Sequence, residues 1–394
     1  MKINTHWLLL CGLLPLVVAC SDGDDRLGPP LVPAPPLDCD PLTPSYCGFP
    51  YPNNYWTAAD PGTVTGLRLA LPQVIMPRTV TDLQSSPDAF NEMDGFSAGI
   101  AAMTHMPGAT VAGLASPAMI EASLSMSSPT VILNAETGER LAHWAELDEY
   151  VVQSRLRQID GEDAPGFDVT RDIDELRAEQ ALMLRPAVRP EDATRYIVAI
   201  RNVLDEQGNP LPPSGGFRAL RDGENSGSAI IESRRPHFEE LFATLEAAGI
   251  ARDDLQLAWD FTTASRENNT RAMLHMRDEA LANYADGVPY SIELGLGDPP
   301  DGVACRLEVS FDVPLYMTKG QSGGLLNLGE DGLPEQNGSF TYAAALIVPM
   351  SAQTEAAPLV AFGHGQLGRK EQVLGTQALS ASENLALFGL DWKG

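Results

Sequence analysis

The chain has 394 residues, of which 44% are hydrophobic and 20% charged, enough for two or three domains with sizeable cores. Fifty-three acidic residues against 26 basic ones give a net charge of −27. That balance excludes the basic surface needed to bind nucleic-acid phosphates or to dock on anionic lipid through a charged patch. The 31 prolines and 35 glycines predict many turns, and with them a β-rich body.

Residues 1–19 carry Lys2 and an apolar run from Trp7 to Ala19, the pattern of a signal peptide and too short for a membrane-spanning helix. The junction Val17-Val18-Ala19-Cys20 resembles a bacterial lipobox. The resemblance implies that Cys20 becomes the lipidated first residue of an envelope lipoprotein. Ser21 after the cysteine implies sorting to the outer membrane, with the protein facing the surface or the periplasm. Residues 20–38 are rich in Asp, Gly and Pro, cannot bury a core, and read as a lipidated tether. Asp22-Gly23-Asp24-Asp25 lacks the ligand spacing of a calcium loop and reads as a solvated charge run.

Cys39 and Cys47 bracket a Pro-rich loop and predict a local disulfide formed in an oxidising compartment. Cys305 has no evident partner and is expected to be a buried thiol. No cysteine or histidine spacing fits a metal site, and no metal or organic cofactor is expected.

Residues 39–223 read as a β-rich domain of short strands and turns, of the Ig-like sandwich type. Thr130 to Leu133 and Arg140 to Trp144 flank a Glu-Thr-Gly turn and predict a hairpin. Leu182 to Leu184 and Tyr196 to Ile200 flank Pro190-Glu191-Asp192 and predict a second. Tyr196 to Ile200 is apolar on both faces, as in a central strand. Residues 160–175 read as a loop.

Residues 224–355 continue this region with a mixed period. Phe238, Leu241, Phe242 and Leu245 follow helical spacing, with Pro236 in the first turn and Gly249 as the stop. Leu257, Trp259 and Phe261 alternate with Gln256, Ala258, Asp260 and Thr262, as in a strand with one buried face. Ser265 caps a helix on which Met273 and Met276 are expected in the core. Residues 307–315 and 340–348 read as further strands.

From residue 356 the pattern is strand, glycine loop, helix, strand. Leu359 to Phe362 is short and apolar, as in a strand buried on both faces of a parallel sheet. His364-Gly365-Gln366-Leu367-Gly368 follows, then a helical stretch over 370–383 and a strand over 385–390. This βαβ unit resembles the opening of an α/β-hydrolase domain. The resemblance implies that the loop of His364 and Gly365 supplies one backbone N–H of an oxyanion hole, from Gln366. A plain βα turn using its glycines for geometry is the other reading. In the hydrolase family the serine, acid and histidine follow this loop, so they are expected after residue 394.

Leu182 to Leu220, Leu257 to Ser265 and Asp94-Gly95-Phe96-Ser97 resemble the N-terminal region of bacterial virulence-factor lipases, including a surface-exposed lysophospholipase. The resemblance implies a lipoprotein with a β-rich region ahead of an α/β-hydrolase domain, acting on lipid or other ester substrates. The alternative is a non-catalytic cell-surface binding module. Two Gly-x-Ser-x-Gly motifs, at Ser97 and Ser322, lack the strand-then-helix context of a nucleophile elbow and read as loops. His105, His143, His237 and His275 each read as structural, and Glu239-Glu240 as solvated.

Overall fold

A computed structural model describes residues 39–79, 82–162, 171–321, 323–366 and 368–391. The signal-like segment, Cys20, the tether, Ser322 and Leu367 lie outside the described residues. The chain divides into two compact units, Met1–Ala264 and Ser265–Gly394. The fold is mixed, with sheets of two, three, three and five strands and six α-helices among the described residues.

In the first unit the strands are β1 (Thr57–Ala59), β2 (Leu67–Leu69), β3 (Ala102–Thr104), β4 (Thr130–Asn134), β5 (His143–Leu147), β6 (Leu182–Pro186), β7 (Arg195–Arg201) and β8 (Leu255–Thr262). Its helices are α1 (Tyr150–Ile159), α2 (Ile173–Ala178), α3 (Gly215–Arg221) and α4 (Ala229–Ala247). The pair β1-β2 stands apart from two antiparallel sheets ordered β3-β6-β5 and β4-β7-β8. The run Tyr196-Ile-Val-Ala-Ile is β-branched and apolar on both faces, and β7 accordingly sits in the middle of its sheet, buried throughout. Phe217 of α3 meets Phe238 and Phe242 of α4 edge-on at 6.3 and 6.0 Å. Each of these rings is buried, contributing roughly 1.5–3 kcal/mol.

The first expected hairpin forms at its turn, where Leu133 bridges Arg140 antiparallel, but does not extend; the second is corrected. Around Glu136 the chain does turn, with Asn134 N–H donating to Glu139 O and Leu141 N–H to Ile132 O, at 2.9 and 2.8 Å. The strands then part: β4 joins β7, and β5 joins β6. β6 and β7 likewise lie in different sheets, so Pro190-Glu191-Asp192 is a crossover between sheets. Helices α1 and α2 occupy a stretch expected to be strand and loop. Their shared core of Val152, Leu156, Ile173 and Leu176 is too small to show as a strong period. Pro236 lies inside α4, not in its first turn, and Gly249 ends that helix at φ +78°. Cys39 and Cys47 are bonded to each other as expected.

His143 is fully buried at the start of β5. Its Nδ1–H donates to Leu141 O at 2.9 Å, and its Nε2 accepts from the Thr130 hydroxyl at 2.9 Å. Burial, helped by the charge of Arg140, holds its pKa below the usual 6.5 against the opposing bond to Leu141. The unfolded chain therefore takes up a proton on this ring before the folded one does. The ring's contribution to stability is complete above pH 6.5 and is lost as pH falls toward the lower folded value. The unfolding free energy from urea titrations is expected to fall as pH drops below 6.5, with a slope of up to about 1.4 kcal/mol per pH unit from this group. His143→Gln should flatten that slope; an unchanged pH profile would count against the assignment.

The second unit begins with α5 (Arg266–Asn283), capped by Ser265, whose side chain accepts from Asn268 N–H. No residue of this helix is buried, and Met273 is exposed, which corrects its placement in a core. Strands β9 (Tyr290–Leu294), β10 (Val303–Pro314), β11 (Ser339–Pro349), β12 (Leu359–Phe362) and β13 (Ala386–Leu390) form one sheet, ordered β12-β13-β11-β10-β9. A 3₁₀ turn over Lys370–Thr376 and helix α6 (Gln377–Glu383) connect β12 to β13, which pair in parallel. The βαβ unit expected from the sequence is present. β12, however, is the edge strand, and Leu359 and Val360 are exposed, so it is not buried on both faces. Cys305 is half-buried rather than buried.

Candidate functional site

One face of the five-stranded sheet packs under the crossover. Val303, Ala345, Ile347 and Leu387 form a small core with Val373. Gly389 is required there: a Cβ on it would lie 2.7 Å from the Lys370 carbonyl oxygen. The opposite face carries the intervening residues. Phe311 and Tyr342, stacked at 6.5 Å, line a cavity of about 450 Å³ with Phe362, Gly363, Phe388 and Leu390. The Tyr342 hydroxyl is pushed above its usual pKa by burial and then by the Asp391 carboxylate, so it stays protonated. Asp391 closes the end of β13, where its Oδ1 accepts Lys370 N–H at 2.7 Å.

The predicted oxyanion loop leaves the C-terminal end of β12 at this cavity. His364 Nδ1–H donates to Gly365 O at 2.8 Å, so the ring braces the loop. Gly368 N–H donates to the same carbonyl at 2.9 Å and closes a turn. A Cβ on Gly368 would meet that oxygen at 2.8 Å, so this position requires glycine. Gly365 and Gln366 are exposed, and the Gln366 amide donates to none of the described residues. The loop leaves β12 through Gly363, which lines the apolar cavity, at the C-terminal ends of two parallel strands. That is where open α/β sheets hold their ligands.

The other candidate residues have local structural settings of their own. Ser97 is an exposed turn residue whose Oγ accepts Gly99 N–H at 3.1 Å. Gly95 of the same motif is packed so closely on the end of β8 that a Cβ would lie 2.6 Å from Ala264 N. Backbone packing thus accounts for that glycine. His275 is half-buried on α5, and His105 is bonded at both ring nitrogens.

Sequence reasoning missed a charged cluster in the first unit. Asp260, on β8, is 2% exposed. It accepts from His237 Nε2 at 2.8 Å, Arg195 Nε at 2.6 Å and Asn54 Nδ2 at 3.0 Å. Arg195 also forks onto Glu240 at 2.8 and 3.1 Å. A cavity of about 620 Å³ opens beside His237, Asp260 and Arg195. The carboxylate oxygens are saturated by donors from three separate elements, and among the described residues no hydroxyl or thiol bonds the imidazole. Chemically this is a clasp holding α4 onto β7 and β8.

Comparison with known protein families, curated proteins and solved structures found no match. Among the described residues no group of three His, Cys, Asp or Glu side chains is placed to hold a metal ion, and no helix is long and apolar enough to cross a membrane.

Proposed function

We propose that this chain is a lipid-anchored envelope protein of the serine ester hydrolase lineage. In this reading its second unit carries the oxyanion side of an ester-cleaving site. The observation that carries the proposal is a braced His-Gly loop with exposed Gln366, which leaves the end of β12 through Gly363 in the wall of an aromatic cavity. Counted from β10, β12 is the third strand of its sheet, and its loop leads through a helical crossover to a parallel neighbour. An oxyanion loop of the α/β-hydrolase type follows a third strand in this way. The Ig-like description of the first unit rests on its two three-stranded antiparallel sheets.

In this reading a serine attacks the ester carbonyl, a histidine takes the serine proton, and the Gln366 amide stabilises the oxyanion of the tetrahedral intermediate. The cavity floor of Phe311, Tyr342 and Phe388 receives the acyl chain of a lipid or lysophospholipid ester. Cys20 carries the acyl groups that hold the protein to the envelope, each CH₂ adding about 0.8 kcal/mol of membrane affinity. The test uses the protein as its source cell makes it. It is expected to carry acyl groups on Cys20 by mass spectrometry and to release fatty acid from lysophospholipid. A native protein that hydrolyses no ester of any chain length would overturn the catalytic half of the reading and leave a binding module. An unmodified Cys20 would overturn the anchor.

A further inference from the structure

The loop from Cys39 to Cys47 brings a serine to a histidine that lies 60 residues further along the chain. The disulfide closes the loop, Pro41 and Pro44 stiffen it, and Thr43 Oγ1 lies 3.2 Å from Thr104 Oγ1 at the end of β3. His105 is the next residue, and Ser45 Oγ lies 2.8 Å from its Nδ1. The other ring nitrogen, Nε2, lies 2.7 Å from the carbonyl oxygen of Ala178, the last residue of α2. A carbonyl only accepts, so Nε2 bears the proton and Nδ1 presents a lone pair. The Ser45 hydroxyl is therefore the donor in this pair. This is the polarity of a serine nucleophile and its general base, with a backbone carbonyl orienting the imidazole in place of a carboxylate.

A cavity of about 290 Å³ adjoins the pair, with Ser45 and His105 on its wall and Leu42, Met106, Leu211 and Pro213 among its apolar lining. Its volume is at the small end for ligand pockets and suits a short acyl chain. The Glu179 carboxylate follows Ala178. It is held below its usual pKa chiefly by Arg171, and the charge of His105 contributes to the same shift.

We propose that Ser45 and His105 form a second acyl-transfer site, in the first unit, that acts on esters of short acyl chains. The proposal does not depend on the hydrolase reading of the second unit. Ser45 Oγ bonds to the ester carbonyl carbon while its proton passes to His105 Nδ1. The bond to the alcohol oxygen then breaks, and His105 returns the proton to the departing alcohol. Water attacks the acyl-serine, gives a proton to His105, and releases the carboxylic acid as that proton goes back to Ser45.

The test treats the full chain with a fluorophosphonate bearing a short alkyl group, which forms an Oγ–P bond with loss of fluoride, and maps the labelled peptide. The adduct is expected on Ser45 in wild type and in Ser97→Ala, and to be absent in Ser45→Ala. His105→Gln should label at least ~100-fold more slowly, the lower end of what a general base contributes. Wild-type labelling should also depend on pH, as base catalysis requires, whereas the His105→Gln rate should be flat. Melting temperatures of all variants should match, because the pair is near the surface. A folded wild-type protein with no adduct on Ser45, or equal labelling in His105→Gln, would reduce the contact to a loop tie and overturn the proposal.

Discussion

Asp260→Ala is expected to lower the stability of the first unit by about 3–5 kcal/mol, the usual cost of removing one partner from a buried ion pair. The substitution strands three donors at once: His237 Nε2, Arg195 Nε and Asn54 Nδ2. Arg195 keeps its fork onto Glu240, but that carboxylate is half exposed and replaces little of what is lost. Burial alone raises the Asp260 pKa, yet the bond to His237 and the charges of His237 and Arg195 outweigh it, and the net shift is downward from 3.8. A carboxyl with a depressed pKa stabilises the fold fully above its unfolded value. The contribution begins to shrink below about pH 3.8 and is lost as pH falls through the lower folded value. Urea unfolding of Asp260→Ala, His237→Ala and the double variant would give the coupling directly. Additive losses, or a cost below about 1 kcal/mol for Asp260→Ala, would show that the cluster is not what fastens α4 to the sheet.

The same cluster shows where sequence patterning stops being informative. In β8 the residues Gln256, Ala258, Asp260 and Thr262 alternate with larger apolar ones, which predicts a solvent-facing row. The structure buries both rows. A polar side chain on a strand is exposed only if the fold supplies it no partners. Here Gln256 is matched by the Val203 backbone, at 2.8 and 2.9 Å, and Asp260 by residues 23, 65 and 206 positions away. None of those separations is visible as a period. Ser45 and His105 were hidden for the same reason. Features set by local chemistry were legible: the Cys39–Cys47 bond, the Ser265 cap, the Gly249 stop and the β12–loop–β13 unit. The edge position of β12 was not, because Leu359 to Phe362 is equally apolar whether a neighbour covers it or not. The short reach of the first hairpin and the failure of the second have a related cause. Turn residues at Glu136 and Pro190 record that the chain reverses, and they leave open which sheet each arm then joins.

In the hydrolase reading, Gln366→Pro is expected to lower kcat for ester hydrolysis by about 10²–10³-fold with little change in KM, whereas Gln366→Ala leaves both nearly unchanged. The contrast follows from which atom does the work. The proposed donor is the main-chain N–H, which alanine keeps and proline removes. The Gln366 side chain is exposed, so neither substitution opens a cavity. Proline also restricts the residue before it, and that residue is Gly365, where an added Cβ would meet nothing within 4 Å. The loop has room for the change, and its brace is independent of the Gln366 side chain, since His364 and Gly368 both bond to the Gly365 carbonyl. Equal melting temperatures for the two variants would confirm that the loop survives. An oxyanion donor acts mainly after the carbonyl carbon becomes tetrahedral, so the loss belongs in kcat and not in substrate binding. A loss confined to KM would instead mean that the loop binds the ground-state ester. Full activity in Gln366→Pro would mean that no oxyanion rests on this amide, and the His-Gly loop would then be a turn whose glycines serve geometry alone.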